Sequence, residues 1–402
     1  MTEQFTQAED IRCEVKSIVE DVERTGVTFE DGTTGRVGFM SSLDGLNLKT
    51  RNGLYSGQIG IALYFAAMYQ YFEDEIYREK AEQAVDFIFD RDEEELVDTA
   101  YIGAGAGVGS LVYGLDLLSE LTDNQRYRNR AADLVSELSK EIIEDDDQYD
   151  MLLGAAGTVT GLLRHWEHSD NSEALDKAIL CGEHLLDSRY DKWADYKLWD
   201  TSRKEGTLST STGMGHGVAG ISYSLYRLYQ HTQRDAFRVA ARNALEFENL
   251  FYSKHQHNWK SNFVGIKHYS HWWCNGLAGI GHARLGSLQY RTSETLERDM
   301  NRVRNGLEPQ LLAEDSVCHG TFAQINLLID LGRMYDEQYL EAAWELASDA
   351  IERRRRAGSY RVDPGHIDGI DNPVFFLGTT GVGYTLLRLL APAEIPSVLR
   401  FE

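Results

Sequence analysis

The sequence predicts an all-α fold in which seven outer helices alternate with seven inner helices around a closed ring. A glycine turn recurs along the whole chain, an apolar run of helical periodicity follows each turn, and charge-rich amphipathic segments separate the runs. All five prolines lie at Pro309 or later, so no proline interrupts a helix in the first three quarters of the chain.

Residues 1–50 open a single domain that spans 1–402. They supply a first outer helix over Glu9 to Glu23 and a hairpin-like segment around Val27 to Gly38, and residues 51–402 hold the repeat. Its glycine turns are Gly57-Gln-Ile-Gly60, the cluster Gly103 to Gly109, Gly154-Ala-Ala-Gly157, Gly217-Val-Ala-Gly220, Gly276-Leu-Ala-Gly279, Gly320-Thr-Phe-Ala323 and Gly378-Thr-Thr-Gly381. The runs Ile61 to Met68, Leu111 to Leu118, Thr158 to Leu163, Ile221 to Leu228, Ile280 to Leu288, Ile325 to Leu331 and Val382 to Leu390 follow them. These are apolar on most sides, as a helix enclosed in a core should be. Glu75 to Phe89, Gln125 to Glu144, Asn171 to Leu186, Asp235 to Phe251, Glu294 to Leu312 and Glu337 to Arg355 each read as a helix with one buried stripe and one wet face. A period of roughly 45 to 60 residues suits an open solenoid or a closed ring. Small residues at every inner-helix start favour the ring, because they let helix N-termini crowd one axis. All seven turns then share one end, which the aromatic-rich insertions Ser188 to Thr212 and Tyr252 to His271 should overhang.

A net charge of −24 excludes nucleic acid and anionic membrane surfaces as main partners and suits a halophilic source. Glu144-Asp145-Asp146-Asp147, Glu93-Glu94-Glu95 and the basic run Arg353 to Arg356 read as solvated faces. The polar N-terminus is no signal peptide and no apolar run is long enough to span a membrane, which points to the cytoplasm. Four dispersed cysteines fit a reducing compartment. Cys13 and Cys181 read as ordinary helix residues. The cluster Gly103 to Gly109 lacks the Lys-Ser or Lys-Thr of a phosphate loop.

Chemistry falls into register with the turns. His216 immediately precedes Gly217, His319 precedes Gly320, Cys274 lies two before Gly276, Cys318 two before Gly320, and Asp150 four before Gly154. Cys274, Cys318 and His319 offer two thiolates and an imidazole, a ligand set for Zn²⁺ that leaves a fourth position open for substrate. Such a centre suits a sulfur nucleophile, because a coordinated thiol is deprotonated outright. Read as packing, the two cysteines are small buried hydrophobes. His216 is the candidate general acid and base, histidine being the side chain whose charge changes nearest neutral pH. Asp150 either orients that imidazole or caps the following helix. His268, His271 and His282 stay outside the metal set.

Gly213-Met-Gly-His216-Gly, Trp273-Cys274-Asn-Gly and Cys318-His319-Gly resemble the lanthionine synthetase C-like family of lanthipeptide cyclases, over nearly the whole chain. Leu54-Tyr-Ser-Gly-Gln-Ile-Gly-Ile-Ala-Leu-Tyr-Phe, Gly-Ser-Leu-Val-Tyr113 and the segments from Leu386 to Leu399 are similar to the C-terminal cyclase domain of class II lanthipeptide synthetases, here without the dehydratase domain that precedes it there. The resemblance implies an α/α toroid, zinc on Cys274, Cys318 and His319, and addition of a peptide cysteine thiolate to dehydroalanine or dehydrobutyrine, forming a thioether ring. It matches His216 to the histidine that protonates the enolate and Asp150 to its aspartate. It implies a dehydrated precursor peptide as partner, supplied by a separate dehydratase. Two departures bear on proton delivery: Asn275 stands where relatives usually carry His or Tyr, and Ser270-His271-Trp272 occupies the segment where some place an arginine. The alternatives are addition of a free thiol to dehydroamino acids, a non-catalytic peptide scaffold, and a carbohydrate enzyme, which would need paired carboxylates instead of Cys and His at the turns.

Overall fold

The computed structural model describes residues 2–29, 32–42, 45–49, 51–89, 101–193, 196–201, 210–262, 268–290, 293–362 and 371–402. Among these residues outer and inner helices alternate seven times. In chain order they are α1 (Thr2–Glu23), α2 (Gln58–Phe72), α3 (Glu75–Phe89), α4 (Val108–Thr122), α5 (Gln125–Glu137) with its short continuation α6 (Lys140–Glu144), α7 (Ala155–Ser169) and α8 (Ser172–Asp187). There follow α9 (Val218–Thr232), α10 (Asp235–Asn249), α11 (Leu277–Tyr290), α12 (Glu294–Gly306), α13 (Thr321–Met334), α14 (Gln338–Ala357) and α15 (Thr379–Leu390). Burial tells the two sets apart. Every residue of α2 from Gln58 to Met68 is buried, whereas α3 buries Tyr77, Ala81, Ala84, Val85, Phe87 and Ile88, a stripe at helical spacing.

Four antiparallel hairpins and a short 3-10 helix (Val398–Arg400) complete the described structure; the hairpins are β1 (Gly26–Thr28) with β2 (Thr34–Arg36), β3 (Gly38–Ser42) with β4 (Gly45–Lys49), β5 (Tyr190–Trp193) with β6 (Tyr196–Leu198), and β7 (Tyr252–Ser253) with β8 (Asn258–Trp259). The first pair falls where the sequence suggested a hairpin, and the last two lie in the aromatic-rich insertions. Parts of those insertions, and the run Glu93-Glu94-Glu95, lie outside the described residues.

The residues group into two compact units, one of Met1–Val97, Leu117–Asn124 and Pro309–Ser397, the other of Asp98–Asp116, Gln125–Glu308 and Val398–Glu402. Within each, successive glycine turns are stitched together by their backbones. In the second unit the Gly105 N–H donates to the Leu152 carbonyl (2.8 Å), Leu152 to Gly215 (3.1 Å), and Gly215 to Cys274 (2.9 Å). In the first, Cys318 donates to Phe376 (3.1 Å) and Phe376 to Tyr55 (3.0 Å). Leu152, Gly215, Cys274, Cys318, Phe376 and Tyr55 each lie two residues before the glycine that caps an inner helix, so one register runs through both rows.

Each turn also folds back on itself so closely that its glycines have no room for side chains. Gly217 has an ordinary extended backbone (φ −128°), yet a Cβ there would overlap the Thr212 carbonyl, and one on Gly279 would overlap the carbonyl of Trp273. Glycine is needed here for space, not for a left-handed conformation. Deeper in the helices, arginines with no exposed surface to speak of are matched by carboxylates: Arg164 of α7 with Asp116 of α4 (3.2 Å), Arg227 of α9 with Glu167 of α7 (2.9 Å), and Arg388 of α15 with Asp330 of α13 (2.5 Å). Asp116 also meets His165 and His168, each at 3.3 Å. Burial works to raise the Asp116 carboxyl, but the hydrogen bonds from His165 and His168 and the Arg164 charge hold it well below the usual carboxylate range. The hydrogen bond to Asp116 in turn raises His168 above an ordinary histidine.

Two expected solvated faces are not solvated throughout. Asp146 is buried and spends its carboxylate on backbone amides, and Arg353 and Arg354 reach Asp315 and Asp21 respectively while largely buried. Charge runs in sequence conceal such residues because a loop can turn one member inward while its neighbours stay wet.

Gly279→Ala should overpack the Trp273 turn and destabilise the protein by about 3 kcal/mol or prevent folding. Gly358→Ala, at φ +86° with open space around it, should cost about 1 kcal/mol of left-handed strain, both read by denaturant titration. His168 is raised on folding, so its contribution is complete below the ordinary histidine pKa and is lost as pH rises through the folded value. The stability difference between wild type and His168→Gln should therefore be largest near pH 5.5 and shrink toward pH 8.5 in thermal melts.

Candidate active site

Asp150 and His216 come from neighbouring stitched turns, since Leu152 bonds to Gly215. The His216 Nδ1 lies 2.9 Å from Asp150 Oδ2, with Asp150 wholly buried and the imidazole 18% exposed. An ionised carboxylate only accepts, so Nδ1 carries the proton in this contact. The other carboxylate oxygen, Oδ1, accepts the Leu153 N–H at 2.7 Å. Asp150 thus orients His216 and braces its own turn at once. It does not cap α7: the N-cap is Gly154, and Asp146 Oδ2 takes the Ala155 N–H at 2.9 Å.

Cys274 is buried, and the side-chain amide of Asn275 donates to its sulfur at 3.4 Å. Cys318 is also buried, and the Tyr55 hydroxyl donates to its sulfur at 3.3 Å, with the Tyr55 ring stacked on Phe376 (centroids 4.9 Å apart, planes at 13°). His319 follows in the same turn, its N–H held by Ser316 Oγ at 3.1 Å and its Nδ1 3.9 Å from Glu314 Oε2. Among the described residues, Cys274, Cys318 and His319 form a group able to hold a metal ion, one potential ligand atom of each lying within 4.8 Å of the others. Two sulfurs and an imidazole nitrogen are a soft donor set that fits Zn²⁺.

Residues 49–400 match the family model described as lanthionine synthetase C-like protein. The chain belongs to the lanthionine synthetase C-like family. Among solved structures, one described as nisin cyclase is similar at a TM-score of 0.65 and 17% identity, covering 87% of this chain and 91% of that one. A sugar epimerase from a ruminal bacterium follows at 0.48 and 12%, covering 96% and 99%, and the cellobiose 2-epimerase of Bacillus thermoamylovorans at 0.46 and 13%, covering 95% and 100%. No curated protein matches in sequence. The fold class of this family member is therefore the α/α toroid that its repeat predicted. No helix among the described residues is long and apolar enough to cross a membrane.

The remaining residues weighed from sequence fall outside the group. His282 is fully buried within α11, His268 lies edge-on to Trp272 (centroids 5.1 Å apart), and burial pushes His271 below an ordinary histidine. Cys13 is exposed, and burial pushes the Cys181 thiol far up. Four residues around the lanthionine synthetase C-like turns escaped notice in the sequence: Tyr55, Asp146, Glu248 and Arg284. Only Tyr55 left a local signal, because it sits two before its glycine as Cys274 and Cys318 do.

Proposed function

We propose that the protein is a zinc-dependent lanthipeptide cyclase, joining peptide cysteines to dehydroalanine or dehydrobutyrine as (methyl)lanthionine thioethers in the cytoplasm. The observation that carries this reading is the Cys274, Cys318 and His319 group in a chain of the lanthionine synthetase C-like family. Three protein ligands of this kind would hold Zn²⁺, whose chemistry when bound is to lower the pKa of a substrate thiol.

The chain's own residues account for the proton. In the overall reaction the thiol S–H bond breaks, sulfur bonds to the β-carbon, the alkene electron pair becomes an enolate, and a proton is added at the α-carbon. Atoms balance with no leaving group, so the peptide's mass is unchanged. His216, its Nδ1–H held by Asp150, presents Nε2 to give that proton to the α-carbon and to regain one. Asp150 stabilises the imidazolium form without taking the proton itself. The donors Asn275 and Tyr55 withdraw charge from the cysteine sulfurs, which would weaken them as electron donors to a metal and leave it a stronger acid. Asn275 offers no titratable group where relatives usually carry His or Tyr, which leaves His216 as the proton donor in this reading. The reaction needs a peptide that already carries the dehydroamino acid.

Purified protein should contain about one zinc per chain, and Cys274→Ala should carry little or none by elemental analysis. Zinc-free wild type together with an unaffected Cys274→Ala would sink the proposal. Asp150→Asn should retain zinc and lower the cyclisation rate by about 10²-fold or more, as the imidazole loses its fixed tautomer. Incubated with a dehydrated peptide, the protein should remove alkylatable thiol at constant mass. A gain equal to an added thiol would assign intermolecular addition instead.

A further inference from the structure

The turns that carry Asp150 and His216 are held by side chains from other parts of the chain. The segment leading into His216 has three consecutive amides accepted by side chains from three different places: Ser211 N–H by Thr201 Oγ1, Thr212 N–H by Asn262 Oδ1, and Gly213 N–H by Glu248 Oε1, each at 2.8 Å. Gly213 stands at φ +105°, where the chain swings into the turn, and a Cβ there would overlap the Cys274 carbonyl. Glu248 is wholly buried in α10, and its second oxygen is bound by Arg284 Nη2 of α11 at 2.6 Å. Arg284 also meets Asp299 at 3.2 Å, and Asp299 has a further partner in Arg302 at 3.0 Å.

The turn that carries Asp150 is held in the same way. Asp146 accepts Gln148 N–H (3.1 Å), Tyr149 N–H (3.2 Å) and Ala155 N–H (2.9 Å), so it bridges both ends of the loop from 148 to 155. Tyr149 adopts φ +58°, a conformation that costs a non-glycine residue about 1 to 2 kcal/mol unless its surroundings impose it. His184 Nε2 holds the Asp146 carbonyl oxygen at 2.8 Å.

Desolvating a carboxylate to accept backbone amides is an expensive way to brace a loop, and these two loops are the ones whose side chains form the pair. We propose that Glu248 and Asp146 are positioning residues, which set the Asp150 to His216 distance and so keep the His216 proton on Nδ1. The structural observation stands alone, while the effect on turnover rests on the cyclase reading above.

The test combines ring ¹⁵N chemical shifts of His216 at a fixed pH with steady-state cyclisation of a dehydrated peptide. Its variants are Asp146→Ala, Glu248→Ala, Glu248→Gln and the double replacement Glu248→Met/Arg284→Met. The double variant removes Glu248 together with its arginine partner, so no unmatched charge is left between them, and Asp299 keeps Arg302 and the Asn249 amide. Asp146→Ala and the double variant should show a mixture of imidazole tautomers, a kcat lowered by about 10-fold or more and a KM within about 2-fold. Glu248→Gln, which still offers Gly213 an acceptor, should restore the Nδ1-protonated pattern relative to Glu248→Ala. Folded Asp146→Ala and double variants with unchanged ring shifts would overturn the proposal, whatever their stability. Should the wild type fail to cyclise while the variants still shift the ring signals, the positioning role holds and only the cyclase reading falls.

Discussion

Within each unit the structure depends on backbone hydrogen bonds that pass from one glycine turn to its neighbour. A turn can donate its N–H to the neighbouring carbonyl only if the two main chains come into direct contact, and a β-carbon on Gly103 or Gly213 would overlap the backbone of the neighbouring turn. The resulting rows, Gly105 to Leu152 to Gly215 to Cys274 and Cys318 to Phe376 to Tyr55, place the residue two before each cap in the same relation to its neighbours. The candidate site residues need no special architecture of their own, because they occupy positions that every repeat already holds still. This is how a scaffold of near-identical units comes to carry one unlike residue per unit.

Bracing such turns has an electrostatic cost that the protein meets in a consistent manner. Carboxylates are taken out of water at Asp116, Asp146, Glu248 and Asp330, and each is matched by arginine, histidine or amide donors. For Glu248 and Asp146 burial still raises the carboxyl group despite its partners, whereas the donors around Asp116 outweigh its burial. A pair broken on one side leaves a buried charge, which costs several kcal/mol.

Repeat, alternation and fold class were legible in the sequence because each rests on short-range regularity: a glycine at every turn, an apolar run after it, a charged stripe before the next. The places of Cys274, Cys318, His319 and His216 at the turns were legible for the same reason, since their distance from a glycine is a local quantity. Asp150 was only half legible. Its place four before Gly154 is readable, but whether it caps a helix or holds an imidazole depends on where the next turn lies, and the structure has it bracing Leu153 N–H and orienting His216 together.

The sequence by itself therefore determined which residue types arrive at the turns and in what register. Tertiary structure alone decided which carboxylates brace them. Asp146 sits in a run of four acids that suggests solvent, Glu248 ends an amphipathic helix, and Arg284 lies in an apolar one, and none carries a mark of its role. Their function comes from partners 9 residues away for Asp146 and 35 or 36 away for Glu248. Local periodicity constrains faces and turns, whereas a buried charge finds its partner only when separate segments pack and exclude the water that would otherwise solvate it.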